Sequence, residues 1–200
     1  MTKIIGLTGG IASGKSTVSS LLRAAGFPIV DADLIARQVQ QPGSTGLDRL
    51  KAAFGAQIIG PDGQLDRPQL GRQVFGDDQA RRRLDAIMQP LIRDAIWDAV
   101  DSLKRAGAPA VILDVPLLFE QHYDQDCDYV VVVAVDPATE LQRLMARNHY
   151  SKAAASARIA AQMPLKEKIR RADWVIDNNG SLEETRRQVA QLVEDLRHPR

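Results

Sequence analysis

The sequence predicts an α/β protein built on a parallel sheet flanked by helices. Three observations carry that expectation. Short apolar runs alternate with amphipathic stretches, as in sheets whose strands are buried on both faces. Several of the runs end in aspartate, at Asp31, Asp114, Asp136 and Asp177. A glycine-rich loop separates the first apolar run from the first amphipathic stretch.

The expected strands are Lys3–Thr8, Pro28–Val30, Ala110–Leu113, Tyr129–Val135 and Trp174–Ile176. Each is a run rich in β-branched or aromatic residues, bounded by Gly, Pro or Asp. After the first strand, Val18, Leu21, Leu22 and Ala25 fall on one helical face, and Gly26 stops the helix. A pattern from about Arg81 to Ala106 predicts the longest helix, kinked at Pro90. Asp136 with Pro137 reads as an N-cap and N1 pair, and Ser181 with Glu184 as a capping box. Two regions depart from the alternation: 43–105 reads as helical without a strong strand, and 151–171 as a helical pair split by Pro164. The expected organisation is one nucleotide-binding domain. Its core spans 1–42, 106–150 and 172–200, with a helical insertion over about 43–105 and a helical lid over about 151–171.

Composition narrows the function. The chain has 200 residues, 44% hydrophobic and 26% charged, which fits a globular protein and excludes wholesale disorder. Its longest apolar runs fall far short of the roughly 20 residues that span a bilayer, so no membrane role is expected. A net charge of +1 and 4% aromatic content argue against a nucleic-acid partner. Cys127 is the single cysteine, and no cleavable apolar segment follows Met1, so a reducing cytoplasm is expected. Nothing in the composition specifies an oligomeric state. Charge is nonetheless uneven: Arg143, Arg147, Lys152, Arg158, Lys166, Lys168, Arg170 and Arg171 face only Glu167 in their stretch, which implies a compact anionic partner.

Gly9-Gly10-Ile11-Ala12-Ser13-Gly14-Lys15-Ser16 satisfies G-x-x-x-x-G-K-[ST] between a strand and a helix, the setting that a phosphate-binding loop requires. From the chain's own residue frequencies, an accidental match has a chance of about 0.3%. The loop's N–H groups and the helix N-terminus attract the α- and β-phosphates. Lys15 reaches the β/γ oxygens, and the Ser16 hydroxyl is placed to ligate Mg2+. Gly10 to Thr17 is the expected nucleotide-binding segment.

A loop of this kind serves kinases, switches and sensors alike. A GTPase switch would show D-x-x-G soon after the loop and an N-K-x-D. Asp177-Asn178-Asn179-Gly180 comes some 160 residues late, reads as a turn, and no N-K-x-D exists. Phosphoryl transfer to an alcohol calls for a carboxylate near the phosphates. Asp31-Ala32-Asp33 follows the second strand, and Asp33 is either that base or the N-cap of the next helix. Arg143 and Arg147, four apart on one helix face, together with Arg158 read either as a lid closing over ATP or as a solvated face.

Taken together, these segments resemble the dephospho-CoA kinase family along nearly the whole chain. The likeness is carried by Leu7 to Thr17, by Asp31-Ala32-Asp33-Leu34-Ile35-Ala36-Arg37, by Asp114-Val115-Pro116-Leu117-Leu118-Phe119-Glu120 and by Asp177 to Gly180. The second and third segments are specific to the family. The resemblance implies ATP-dependent phosphorylation of the 3′-hydroxyl of dephospho-CoA with Mg2+, a P-loop fold, and small-molecule partners only. It makes Asp33 the general base, Lys15 the phosphate ligand, and Arg143 and Arg147 the lid contacts. It also makes Arg67 part of an acceptor-side segment, and Asp114 to Glu120, with Asp114, Pro116 and Leu117 foremost, the lining of the acceptor cleft.

Three positions depart from the family pattern. Ala12 replaces a common glycine, which is tolerable where φ stays negative. Gln89-Pro90 stands where His-Pro is usual. Arg147-Asn148 replaces Arg-Asp, which is expected to leave Arg147 freer. The runner-up is a P-loop kinase of another small hydroxyl or nucleotide acceptor, followed by a non-catalytic nucleotide sensor.

Overall fold

The computed structural model describes residues 2–197. A five-stranded sheet forms in the order β2-β3-β1-β4-β5, with β1 Lys3–Gly9, β2 Ile29–Asp31, β3 Ala110–Asp114, β4 Tyr129–Ala134 and β5 Trp174–Asp177. The pairings β1–β3, β1–β4 and β4–β5 are parallel. All five expected strands are present, each within one residue of its expected ends. The three inner strands are buried on both faces, as the unbroken burial of Ala110–Asp114 illustrates, whereas β5 at the sheet edge keeps exposed positions.

Two compact units divide the chain: residues up to Val30 with those from Leu103 onward, and Asp31–Ser102. In the first, helices α1 (Lys15–Ala24) and α9 (Leu182–Arg197) cover one sheet face. Leu22, Val189 and Leu192 pack with Ile5, Ile112 and Val131 in that core. The helices α6 (Pro137–Asn148), α7 (Lys152–Ala160) and α8 (Leu165–Arg170) lie between β4 and β5 in the chain. Asp136 caps α6, accepting from Thr139 N at 2.9 Å, and Ser181 and Glu184 form the expected reciprocal box at the head of α9.

The second unit holds α2 (Ala32–Gln38), α3 (Thr45–Phe54), α4 (Arg67–Val74) and most of α5 (Asp78–Arg105), around Leu50, Phe54, Ile58, Leu70 and Met88. It begins at Asp31, earlier than the expected insertion boundary near 43, because α2 groups with the helices that follow it. The helix α5 continues through Pro90. Asp31, not Asp33, caps α2: its carboxylate accepts from Leu34 N at 3.0 Å.

Candidate active site

The loop after β1 turns directly into α1, whose N-cap is Gly14 at φ 90° with no side chain satisfying the first turn and no acidic residue in that turn. The helix's positive end is therefore left to an external anion. Two glycines make the loop possible. A Cβ on Gly14 would lie 2.1 Å from the Asn178 amide nitrogen, and one on Gly10 would lie 2.3 Å from Glu140 Oε1. A side chain at either place would displace Asn178 or Glu140 from its present position, and at Gly14 it would also have to adopt a positive φ. Between them Ala12 sits at φ 60°, contrary to the negative φ under which an alanine was acceptable there. The turn itself demands the left-handed conformation, so Ala12 holds it at a cost of about 1–2 kcal/mol.

Residues distant in sequence brace this loop. Asn178, just beyond β5, donates its amide to Ser13 O at 2.8 Å and accepts from Thr185 Oγ1 at 2.6 Å. Its neighbours make the expected turn, with Asn179 N donating to Asp177 Oδ1. The carbonyl of Asn178 accepts from Arg143 at 3.0 Å, so this half-buried arginine is tied to the loop. Glu140, in the first turn of α6, is buried against Gly10. Burial pushes its carboxyl above the usual range, and the nearby Lys168 ammonium pulls the other way.

Lys15 pairs with Asp114, the residue that ends β3. This contact follows from the sheet order, which sets β1 beside β3 with Leu7 opposite Asp114. The Asp114 side chain is only 4% exposed, against 20% for Lys15. The strand-3 loop then returns to the sheet: the Pro116 carbonyl accepts from Thr8 Oγ1 at 2.9 Å, with Leu117 half-buried beside it. Ser16 is exposed at the head of α1, whereas Ile11 in the loop and Thr17 in the helix are half-buried.

Other expected residues stand differently. Arg147 is exposed, and its Nε donates to Asn148 Oδ1 at 2.9 Å. Arg147 is thus held by the amide oxygen of its neighbour. Asp33 and Arg67 belong to the second unit; both are exposed, and Asp33 makes no hydrogen bond or ion pair among the described residues.

The basic stretch is less cationic than its composition suggests. Glu167 binds Arg170 and Arg171, which hold its carboxyl down at about 2, and Lys168 pairs with Glu120 at 2.9 Å. Arg158 stacks 4.0 Å over the Tyr150 ring. Cys127 is not a reactive thiol, because burial and the neighbouring Asp124, Asp126 and Asp128 raise it to about 12.

Sequence reasoning missed Glu140 as part of this site. It read Asn178 only as a turn residue after a strand, Lys168 only as one cation of the basic stretch, and Glu120 only as part of the cleft lining that the resemblance implies. Their contacts with the loop appear only when the fold brings these charges together.

A parallel sheet whose first strand runs through this glycine loop into a helix, with the loop lysine paired to the aspartate ending the adjacent strand, defines a P-loop nucleotide-binding protein. The dephospho-CoA kinase family model matches residues 3–184. A dephospho-CoA kinase of Symbiobacterium thermophilum is 53% identical over 187 residues, covering 94% of this chain and 78% of its own. The crystal structure of TT1252 from Thermus thermophilus aligns with a TM-score of 0.82 at 37% identity, covering 98% of each chain. Dephospho-CoA kinase from Campylobacter jejuni aligns with a TM-score of 0.76 at 27% identity, again over 98% of each chain. The chain belongs to the dephospho-CoA kinase family, and it is an enzyme, a kinase.

Proposed function

We propose that this kinase transfers the γ-phosphoryl group of ATP to the 3′-hydroxyl of dephospho-CoA, giving coenzyme A and ADP. The observation that carries the reading is the loop lysine, Lys15, preplaced against Asp114 at the carboxyl ends of β1 and β3. Ligands of open α/β sheets bind outside those strand ends. The N–H groups of 10–17 hold the α- and β-phosphates, and Lys15 reaches the β/γ oxygens and offsets the charge that spreads over the transferred group. Asp33 accepts the proton of the acceptor hydroxyl as its oxygen attacks the γ-phosphorus and the bond to the bridging oxygen of ADP breaks. Arg143 and Arg147, one turn apart on α6, supply positive charge beside the same phosphates. The Asp114–Leu117 loop and Arg67 take the acceptor.

The donor set suits Mg2+. Ser16 offers an exposed hydroxyl at the loop's end and Asp114 a carboxylate, and Mg2+ ordinarily uses one or two protein oxygens, completing its shell with water and phosphate. When bound, the ion neutralises charge across the β- and γ-phosphates. Within the basic segment, α7 is the part suited to close over ATP and exclude water. A cytoplasmic location fits the supply of ATP and the free thiol of Cys127. No described helix is long and apolar enough to cross a membrane.

The test is single-turnover phosphoryl transfer to dephospho-CoA, nucleosides, nucleoside monophosphates and shikimate, for wild type and Asp33→Asn. Transfer to dephospho-CoA is expected to exceed the others, and the variant to lose about 10²–10⁴-fold in kcat with ATP affinity little changed. Because Asp31 is the cap, the variant melts like wild type. A wild-type rate in Asp33→Asn removes its role as base, and preference for another acceptor overturns the substrate assignment.

A further inference from the structure

Lys168 is 1% exposed although it belongs to a six-residue helix whose Lys166, Arg170 and neighbours lie at the surface. A buried ammonium persists only where several acceptors replace its water. Its Nζ meets Glu120 Oε1 at 2.9 Å, the Pro116 carbonyl at 3.2 Å and the Gly9 carbonyl at 3.5 Å. Gly9 opens the phosphate loop and Pro116 lies two residues beyond Asp114, so one charge joins the two loops whose residues hold Lys15. The same Glu120 Oε1 accepts from Met163 N at 2.9 Å, in the turn between α7 and α8, while Oε2 is buried with no hydrogen-bond partner. Glu140 is the other carboxylate near the ammonium.

We propose that Lys168 and Glu120 are positioning residues for phosphoryl transfer, a buried pair that fixes the base of the basic segment and sets the phosphate loop against the strand-3 loop. The inference rests on the kinase reading above. It assigns α8 the duty of an anchor within the segment. A charge lost at Lys168 lets the Gly9 and Pro116 carbonyls drift. Displacements of about 1 Å at a reacting centre cost about 100-fold in rate.

Lys168→Met keeps the apolar stem and removes the charge, Lys168→Arg keeps the charge, and Glu120→Gln removes its partner. With ATP and dephospho-CoA, kcat for Lys168→Met is expected to fall about 10–100-fold while KM for ATP moves less than about threefold. Lys168→Arg should recover part of that loss. The Lys168→Met/Glu120→Gln double variant should be within about threefold of the slower single variant, since the two act as one unit. A role in stability alone predicts a lower Tm with normal kcat below it, and that result overturns the proposal. So do independent, multiplying losses in the double variant. Should Lys168→Met not fold, the Lys168→Arg and Glu120→Gln rates decide: a wild-type kcat in Glu120→Gln refutes the pair. Wild-type enzyme that phosphorylates no acceptor would instead strike at the kinase reading, so the two failures are distinct.

Discussion

Replacing Lys15 by alanine should damage two things at once, and the structure shows how to separate them. The first is catalysis: a charge preplaced against a developing phosphoryl charge in a shielded site is worth about 3–4 kcal/mol, so kcat should fall about 10²–10³-fold. The second is stability. Asp114 is only 4% exposed and loses its ammonium partner. Breaking a fully buried pair costs about 3–5 kcal/mol, and because Lys15 is one-fifth exposed a cost of about 2–3 kcal/mol is expected. For a chain of this size that lowers Tm by about 4–12 °C. Adding Asp114→Asn removes the buried negative charge, so Lys15→Ala/Asp114→Asn should regain at least half of the lost Tm and none of the lost rate. Thermal melts by circular dichroism and single-turnover transfer, both for all four proteins of the cycle, make the measurement. A folded Lys15→Ala enzyme within tenfold of wild type would refute the loop's role. A Tm loss that Asp114→Asn leaves untouched would refute the ion pair as its cause.

Two further outcomes follow from the loop's geometry. Ala12→Gly should raise stability by about 0.5–1 kcal/mol, since relief of the left-handed strain exceeds the entropy that glycine adds to the unfolded chain, whereas Ala12→Val should lower it; melts of both check the φ of 60°. Glu140→Gln should raise Tm slightly at pH 7–8 and lose that advantage as pH falls. The fold raises this carboxyl's pKa, so the ionised form is disfavoured above the folded value, and the penalty vanishes as wild type takes up its proton near and below the ordinary value of 4.5. A pH series of melts with the largest gain at the acid end would contradict this.

How much was legible in the sequence depended on the range of the interaction. The five strands, the capping of α6 and α9 and the phosphate loop were readable because each rests on neighbours within a few residues: apolar period, a cap two or three positions from its N–H, a glycine spacing. Aspartates 31 and 33 show the limit of such reading. Both suit an N-cap by type, and only backbone geometry assigned the cap to Asp31. Ala12 shows it again, since the composition of a loop does not state the sign of φ.

The pairing of charges was decided by tertiary structure alone. Lys15 meets Asp114 across 99 residues because β1 lies between β3 and β4, and Lys168 reaches the Gly9 carbonyl across 159. In the sequence Lys168 is one cation among eight in a basic stretch, no different from Lys166. Burial makes it different, by removing water and leaving Glu120 and two carbonyls to replace it. Local chemistry thus determined where this protein could bind phosphate, whereas the choice of which charges face which depended on the strand order that brings distant segments together.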